Sequence, residues 1–531
     1  MLEFEYLFKE NNMHWSEKVA RRLIEAHPGK TEFVLASGIS PSGTVTAGNF
    51  REYVTTYFVG QALKKCGKKA RCFHSWDDFD RLRKVPKNID APGFEKYVGC
   101  PYSEIPSPFG DGSYAEHFEK EFEDALAEMG LPINTVRQRE NYKSGKYAKQ
   151  VIDAIVRRRE IYDVIMSFKT QEATAEDREK YYPVKVYCSA CGKDSTTVVN
   201  SSEDGRFLTY RCEVCGKEET VDLTKWHMLK LEWKVDWPMR WIYEGVDFEP
   251  GGRDHSTPGG SYDVCSHLIR EVWGKEPPAY QKYEWIGIAG MGQMHSSSGM
   301  NISPSGLLKL YEPEVFLWLY AKYDPEEEFN FAFDQTIQRQ YSEYDKMLDG
   351  YMAGTLDEYN TAVMELSLNG KKPHKRVGFG TLASLAQLVN YNRALVAKIL
   401  EKMGQKYDEE TDKRFDKVEY WLKNFANAES FVLNKAKNVA YYNMMDDKDK
   451  ENIKKLHDFL AQDKNFTEQE IQQGMYDIVN DMTLDKKTNQ LRQQGYFKNI
   501  YNLLFSQDKG PRLYLYFLAI DKKEYLHLLD F

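Results

Sequence analysis

The chain has 531 residues, 42% hydrophobic and 29% charged, with a formal net charge of −9; it is too long for one hydrophobic core, and two to four domains are expected. The negative balance excludes a protein that coats nucleic acid indiscriminately and leaves room only for a local basic patch. The opening "MLEFEYLFKE" has no basic stretch followed by an apolar one, and no segment approaches about 18 uninterrupted apolar residues, so a cytoplasmic location and no membrane partner are expected.

In chain order, "TEFVLASG" reads as a strand, the span from Asn49 to Lys65 as a helix, "KARCFHSW" as a second strand and "YEWIGIAG" as a later one. Strands alternating with helices predict an α/β domain with a parallel sheet and helices on both faces. Between these elements, "KYYPVKVYCSACGKDSTTVVNSSEDGRFLTYRCEVCGKEETVDL" has its own strand alternation and reads as a small inserted module. After about Glu312 the pattern changes to amphipathic helices. One apolar stripe runs through Leu382, Leu385, Leu388, Leu395, Ile399 and Leu400. A second runs through Phe415, Val418, Leu422 and Phe425, and a third through Ile471, Met475, Ile478 and Val479, opened by a Thr467–Glu470 capping box.

Eight cysteines are present, four of them in two C-x-x-C knuckles, Cys188/Cys191 and Cys212/Cys215. Four thiolates at this spacing suit a tetrahedral zinc ion, as in a zinc ribbon, and a site filled by four cysteines is structural because no coordination position stays open. Each knuckle is followed by Gly-Lys, and the glycine permits the tight turn that aims amides at the sulfurs.

A strand followed by "ASGISPSGTVTAGNFRE" and a helix is a geometry for nucleotide phosphates: Gly38, Gly43 and Gly48 let backbone approach closely, and the helix start offers unpaired amides. Neither G-x-G-x-x-G nor G-x-x-x-x-G-K-[ST] is present, so a plain Pro/Gly turn fits the same residues. A second Gly/Ser-rich loop, "AGMGQMHSSSGMNIS" from Ala289 to Ser303, follows a later strand, and its Ser296-Ser297-Ser298-Gly299 run could close over a phosphate.

These paired loops, together with "HWSEKVARRLIE", "SWDDFDRLRKVP", "YVGCPYSEIPSPFGDGSYAEHF", the two knuckles, "WKVDWPMRW", "DHSTPGGSYD", "YEWIGI", "EPEV" and "GPRL", resemble the class I lysyl-tRNA synthetases over nearly the whole chain. The resemblance implies a Rossmann-type catalytic domain at 1–311 with a zinc-ribbon insert at 181–222, a connecting helical region at 312–380, and an all-α anticodon-binding domain at 381–531. It implies activation of L-lysine by ATP with Mg2+, transfer of the lysyl group to a lysine tRNA, and a structural Zn2+.

Two positions depart from the family pattern. Where the first signature carries a histidine this chain has Thr46, and where the second carries a lysine it has Gln293, with His295 in place of a serine. Thr46 keeps a hydroxyl donor, Gln293 an amide donor, and His295 restores a ring nitrogen two residues on; these three would be the catalytic positions. ATP would meet Pro41, Ser42, Gly43, Gly48, Asn49, Asp254, Met294, Ser296, Ser297 and Ser298. Lysine would meet Gly38, Ser40, Trp233, Asp236, His255 and Tyr283, because a cation on an apolar stem suits aromatic walls and an acidic end. In the carboxyl-terminal half, Arg492, Tyr496, Lys498, Tyr501, Arg512 and "GKKPHKR" offer basic and aromatic groups to RNA. With two charged groups replaced, three activities fit this sequence: a lysyl-tRNA synthetase, an impaired paralogue that binds tRNA or lysine, and a ligase passing lysine to another acceptor.

Overall fold

The computed structural model describes residues 12–86, 89–170, 174–289, 292–293, 302–426, 431–481, 483–510 and 512–531. The chain divides into two units, Met1–Ala332 with Gly350–Lys372, and Phe333–Asp349 with Pro373–Phe531. The stretch 312–380, expected as one connecting region, is therefore shared between them.

In the first unit, β1 (Glu32–Ile39), β2 (Lys69–Trp76), β3 (Thr135–Arg137), β4 (Phe248–Gly252) and β5 (Ala279–Tyr283) form a parallel sheet in the order β5-β4-β1-β2-β3. The pairing of β1 with β2 is continuous, from Glu32 opposite Lys69 to Ile39 opposite Trp76. The strand expected from "YEWIGIAG" is divided. Tyr283 ends β5, and Ile286–Ile288 (β6) belongs to a second sheet, pairing with β7 (Gly292–Gln293) and with β8 (Phe329–Phe331). That last strand lies beyond residue 312, where helices alone were expected.

The helix α1 (Ala47–Lys65) starts from a complete capping box. The Thr46 hydroxyl accepts the Asn49 N–H at 3.2 Å and donates to Asn49 Oδ1 at 2.8 Å, and the Thr46 N–H reaches the same oxygen at 3.1 Å. Helix α1 crosses the sheet and is buried almost all round, with Phe50, Val54, Phe58, Val59 and Leu63 inside, so its sequence shows little of the one-sided periodicity of a surface helix. A buried guanidinium in its second turn, Arg51, donates to three backbone carbonyls, Glu284 at 2.8 Å, Asp324 at 2.7 Å and Glu327 at 2.8 Å. Burial lowers its pKa to about 10, still above neutrality, so the clamp stays charged.

The inserted module has a three-stranded antiparallel sheet, Thr196–Ser201, Phe207–Cys212 and Glu218–Asp222, and the strand Val184–Val186 pairs with Leu229–Leu231. Gly192 and Gly216 adopt φ of 71° and 72°, the left-handed conformation that lets each knuckle turn back on its sulfurs.

The second unit is helical from Phe379 onward, with Phe379–Leu388, Arg393–Lys402, Glu409–Asn424, Asp447–Ala461, Glu468–Val479 and Lys486–Phe505 among its helices. The first expected stripe lies on two helices, separated where Asn390 and Tyr391 take φ of 47° and 62°. Phe415, Val418 and Leu422 are buried on one helix, whereas Phe425, just past its end, is 37% exposed. Thr467 and Glu470 form the expected capping box, and Ile471, Met475 and Val479 face the core. Among the described residues, no helix is long and apolar enough to cross a membrane.

Candidate active site

On one side of β1 the sheet continues through β2 and β3, on the other through β4 and β5, which makes the carboxyl end of β1 a topological switch point where open α/β sheets bind ligands. A cavity of about 700 Å³ lies there, formed by the residues that end β1, β2, β4 and β5 together with the first turns of α1 and of α2 (Trp233–Glu244).

The floor is set by Glu52. Its Oε1 accepts the Gly38 N–H at 2.7 Å and its Oε2 accepts the Tyr283 hydroxyl at 2.8 Å. Burial pushes its pKa up to about 8, with the Gly38 hydrogen bond pulling the other way and neighbouring Glu249 adding to the rise. Glu249 is likewise raised by burial, to about 7, and accepts the Trp241 indole N–H at 2.6 Å. On one wall, Trp233 and Trp237 stack with centroids 4.9 Å apart at 20°, and His255 lies 5.7 Å from the Trp237 ring. Burial holds the His255 ring below its ordinary pKa, which favours the neutral imidazole at neutral pH.

Behind this wall lies a charge network. Arg240 pairs with Asp77 at 2.7 Å and with Asp236 at 2.8 Å, and donates to Ser75 at 3.0 Å. Lys230 pairs with Asp80 and stands 3.6 Å from Asp236, while the Tyr142 hydroxyl donates to Asp236. Burial works against the Asp77 charge, but Arg240 and Lys230 outweigh it and hold this carboxyl below its usual range. The cavity lining carries six carboxyl side chains, Glu52, Asp77, Asp80, Glu249, Asp254 and Glu284, against two guanidinium groups, Arg83 and Arg240. Asp77 and Asp80 are matched by Arg240 and Lys230, and Glu284 by Arg253 and Lys282, which leaves Glu52, Glu249 and Asp254 without an ion pair among the described residues.

Of the residues expected at the site, Gly38, Ser40, Ser42, Gly43, Thr46, Gly48, Asn49, Trp233, Asp254, His255 and Tyr283 line this one cavity. Pro41 is buried in the turn. Asp236 is fully buried among Arg240, Lys230 and Tyr142 and is not part of the lining. The backbone of Gln293 pairs with Gly287; Met294, His295, Ser296, Ser297 and Ser298 lie outside the described residues. Sequence reasoning missed Glu52, Glu249, Asp77 and Arg240. A signal for Glu52 did exist: it is a lone carboxylate in a run, Phe50 to Leu63, that is otherwise mostly apolar.

The four knuckle sulfurs, Cys188, Cys191, Cys212 and Cys215, all lie within 4.8 Å of one another, with Cys188–Cys215 and Cys191–Cys212 each at 3.6 Å. Metal–sulfur bonds of about 2.3 Å in a tetrahedron place sulfurs roughly 3.8 Å apart, so the group fits a metal ion. The Ala190 N–H points at the Cys188 sulfur at 3.4 Å, the kind of support a thiolate ligand needs. In the second unit, Tyr496 is buried in the helical core and offers no face for a base, while Arg492 and Lys498 pair with Asp481 and Asp508 at 3.1 Å and 2.9 Å.

A parallel sheet with a cavity at its switch point, bounded by a glycine-rich strand-to-helix turn, defines an α/β protein of the kind that binds ligands at the carboxyl edge of its sheet. Residues 13–370 match the family described as tRNA synthetases class I (K), and the chain belongs to that family. It is 33% identical to the "Lysine--tRNA ligase" of Streptomyces coelicolor over 94% of this chain and 95% of that one. Identity is 34% to the proteins of the same name from Borreliella burgdorferi and Pyrococcus furiosus, over 96% of this chain and 98% of each.

Proposed function

We propose that this member of the family is a working lysine–tRNA ligase. The observation that carries the reading is the half-buried Glu52 carboxyl, held by the Gly38 N–H and the Tyr283 hydroxyl at the floor of an aromatic-walled cavity. Desolvation makes its charge costly until a cation arrives. An ε-ammonium at the end of a four-carbon stem supplies that cation, and the indole faces of Trp233 and Trp237 suit both stem and charge.

ATP, with Mg2+, would lie along the turn from Ser40 to Asn49; at the start of α1 the Ala47 and Asn49 N–H groups are already held by the Ile302 carbonyl and the Thr46 hydroxyl, so the phosphates would approach at Gly48. A lysine carboxylate oxygen forms a bond to the α-phosphorus, the bond from that phosphorus to the β-bridging oxygen breaks, and pyrophosphate leaves with the electron pair. A hydroxyl of the terminal ribose of tRNA then attacks the carbonyl carbon of the mixed anhydride, and AMP leaves. The protein positions the reactants and stabilises developing charge. The four cysteines would hold a zinc ion whose coordination is complete, so its contribution is to the fold of the inserted module. The test is ATP–pyrophosphate exchange by the purified full chain, followed by charging of tRNA. Exchange that requires lysine and is not matched by ornithine or arginine is expected; no lysine-dependent exchange would overturn the reading.

A further inference from the structure

Phosphoryl chemistry needs positive charge near the oxygens that accumulate negative charge, yet the signature positions carry Thr46 and Gln293. The Thr46 hydroxyl is committed to its cap, since its single proton goes to Asn49 Oδ1. Of the described residues lining the cavity, only Arg240 and Arg83 bear a permanent positive charge. Arg240 is buried and held by both Asp77 and Asp236, so its charge is cancelled before any ligand enters.

Arg83 differs on each count. It is exposed, it lines the cavity, and no carboxylate among the described residues stands within ion-pair distance of it. It belongs to the segment that follows β2. Burial pushes the nearby Tyr102 hydroxyl up to about 12, and the Arg83 charge acts to lower it. A planar guanidinium with several donors matches phosphate oxygens two at a time.

We infer that Arg83 contacts the polyphosphate of the bound nucleotide and supplies charge there that Thr46 and Gln293 do not carry. The inference rests on the reading of this cavity as a nucleotide site. It requires no shift of the Thr46 cap and leaves Glu52 to the amino acid.

The experiment is an equilibrium titration of the full chain with ATP, adenosine and L-lysine separately, for the wild type, Arg83→Gln and Arg83→Lys, alongside ATP–pyrophosphate exchange. Losing a charge-assisted phosphate contact should weaken ATP binding about 10–100-fold. Adenosine and lysine should bind Arg83→Gln as they bind wild type, and Arg83→Lys should recover part of the loss. In exchange, the KM for ATP should rise while that for lysine holds. ATP affinity within about twofold of wild type in Arg83→Gln would overturn the inference, and so would wild type that binds ATP no more tightly than adenosine. Arg83-dependent ATP binding without lysine-dependent exchange would leave the contact standing and overturn the ligase reading instead.

Discussion

Glu52 and Tyr283 meet across the cavity floor, the phenol donating to the carboxyl at 2.8 Å, and both groups are shifted by burial toward their protonated forms. A half-buried acid whose pKa desolvation pushes up to about 8 despite two hydrogen-bond donors lacks a positive partner, and a substrate ammonium would fill that place.

Replacing Glu52 with Gln keeps the shape and removes the charge. The KM for lysine in exchange should rise roughly 10–100-fold, the cost of a lost charged hydrogen bond, with the KM for ATP unchanged. The pH dependence carries a definite sign. The folded-state pKa is about 8 against an ordinary 4.5, so the folded chain holds this proton more tightly than the unfolded one. Its contribution to stability is present below pH 4.5 and is lost as pH rises toward 8. Lysine binding needs the carboxylate, so affinity should strengthen from pH 6 to 8 and flatten above. In Glu52→Gln both slopes should shrink, as read by titration calorimetry and by urea unfolding across that range.

Arg240 sits between Asp77 and Asp236, all three buried. Arg240→Met removes the guanidinium that both carboxylates share and leaves Lys230 alone to balance them in a desolvated site, and about 3–5 kcal/mol of stability should be lost at neutral pH. Because protonation would neutralise those groups, the deficit should narrow as pH falls through the carboxylate range. A urea titration of the variant at pH 7 and at pH 5 checks this.

Thr46 acts as a helix cap, with three hydrogen bonds between it and Asn49. Thr46→Ala should cost about 1 kcal/mol, whereas Thr46→Ser, which keeps the hydroxyl, should stay within a few tenths. Equal losses for the two substitutions in chemical denaturation would mean that the hydroxyl contributes nothing to the cap.

Wild-type protein should carry one tightly bound metal ion per chain, measured by elemental analysis. Cys191→Ser or Cys215→Ser should lose it, since each removes one of four sulfurs that lie within 4.8 Å. Trypsin should then cut within residues 181–222, where the small strands depend on the cross-link, while the catalytic sheet resists.

The parts of this fold legible in the sequence were those governed by local rules. Lys69–Trp76 is the strand its apolar and aromatic residues announce, Thr467 and Glu470 cap their helix, and the spacing of four cysteines brings four sulfurs together. The rest depends on three-dimensional context. Helix α1 is wrapped on all sides, so no polar face drew attention to Glu52. Asp236, an acid among tryptophans, reads as a ligand group, yet one helical turn further on Arg240 takes it into the buried network. "YEWIGIAG" carries a single apolar pattern, but Glu284 and Trp285 break it, and its two halves join different sheets. Whether Thr46 serves substrate or helix turns on where Asn49 Oδ1 points, which spacing alone does not show.

Arg51 and Glu52 are adjacent in sequence and have different partners. Glu52 meets the ligand cavity, while Arg51 grips the carbonyls of Glu284, Asp324 and Glu327. Those carbonyls flank, in sequence, the second glycine-rich segment. One turn of helix therefore borders the cavity through Glu52 and, through Arg51, pins the backbone just ahead of both β6 and β8, so the two paired strands of the second sheet are fastened at their starts by the same guanidinium.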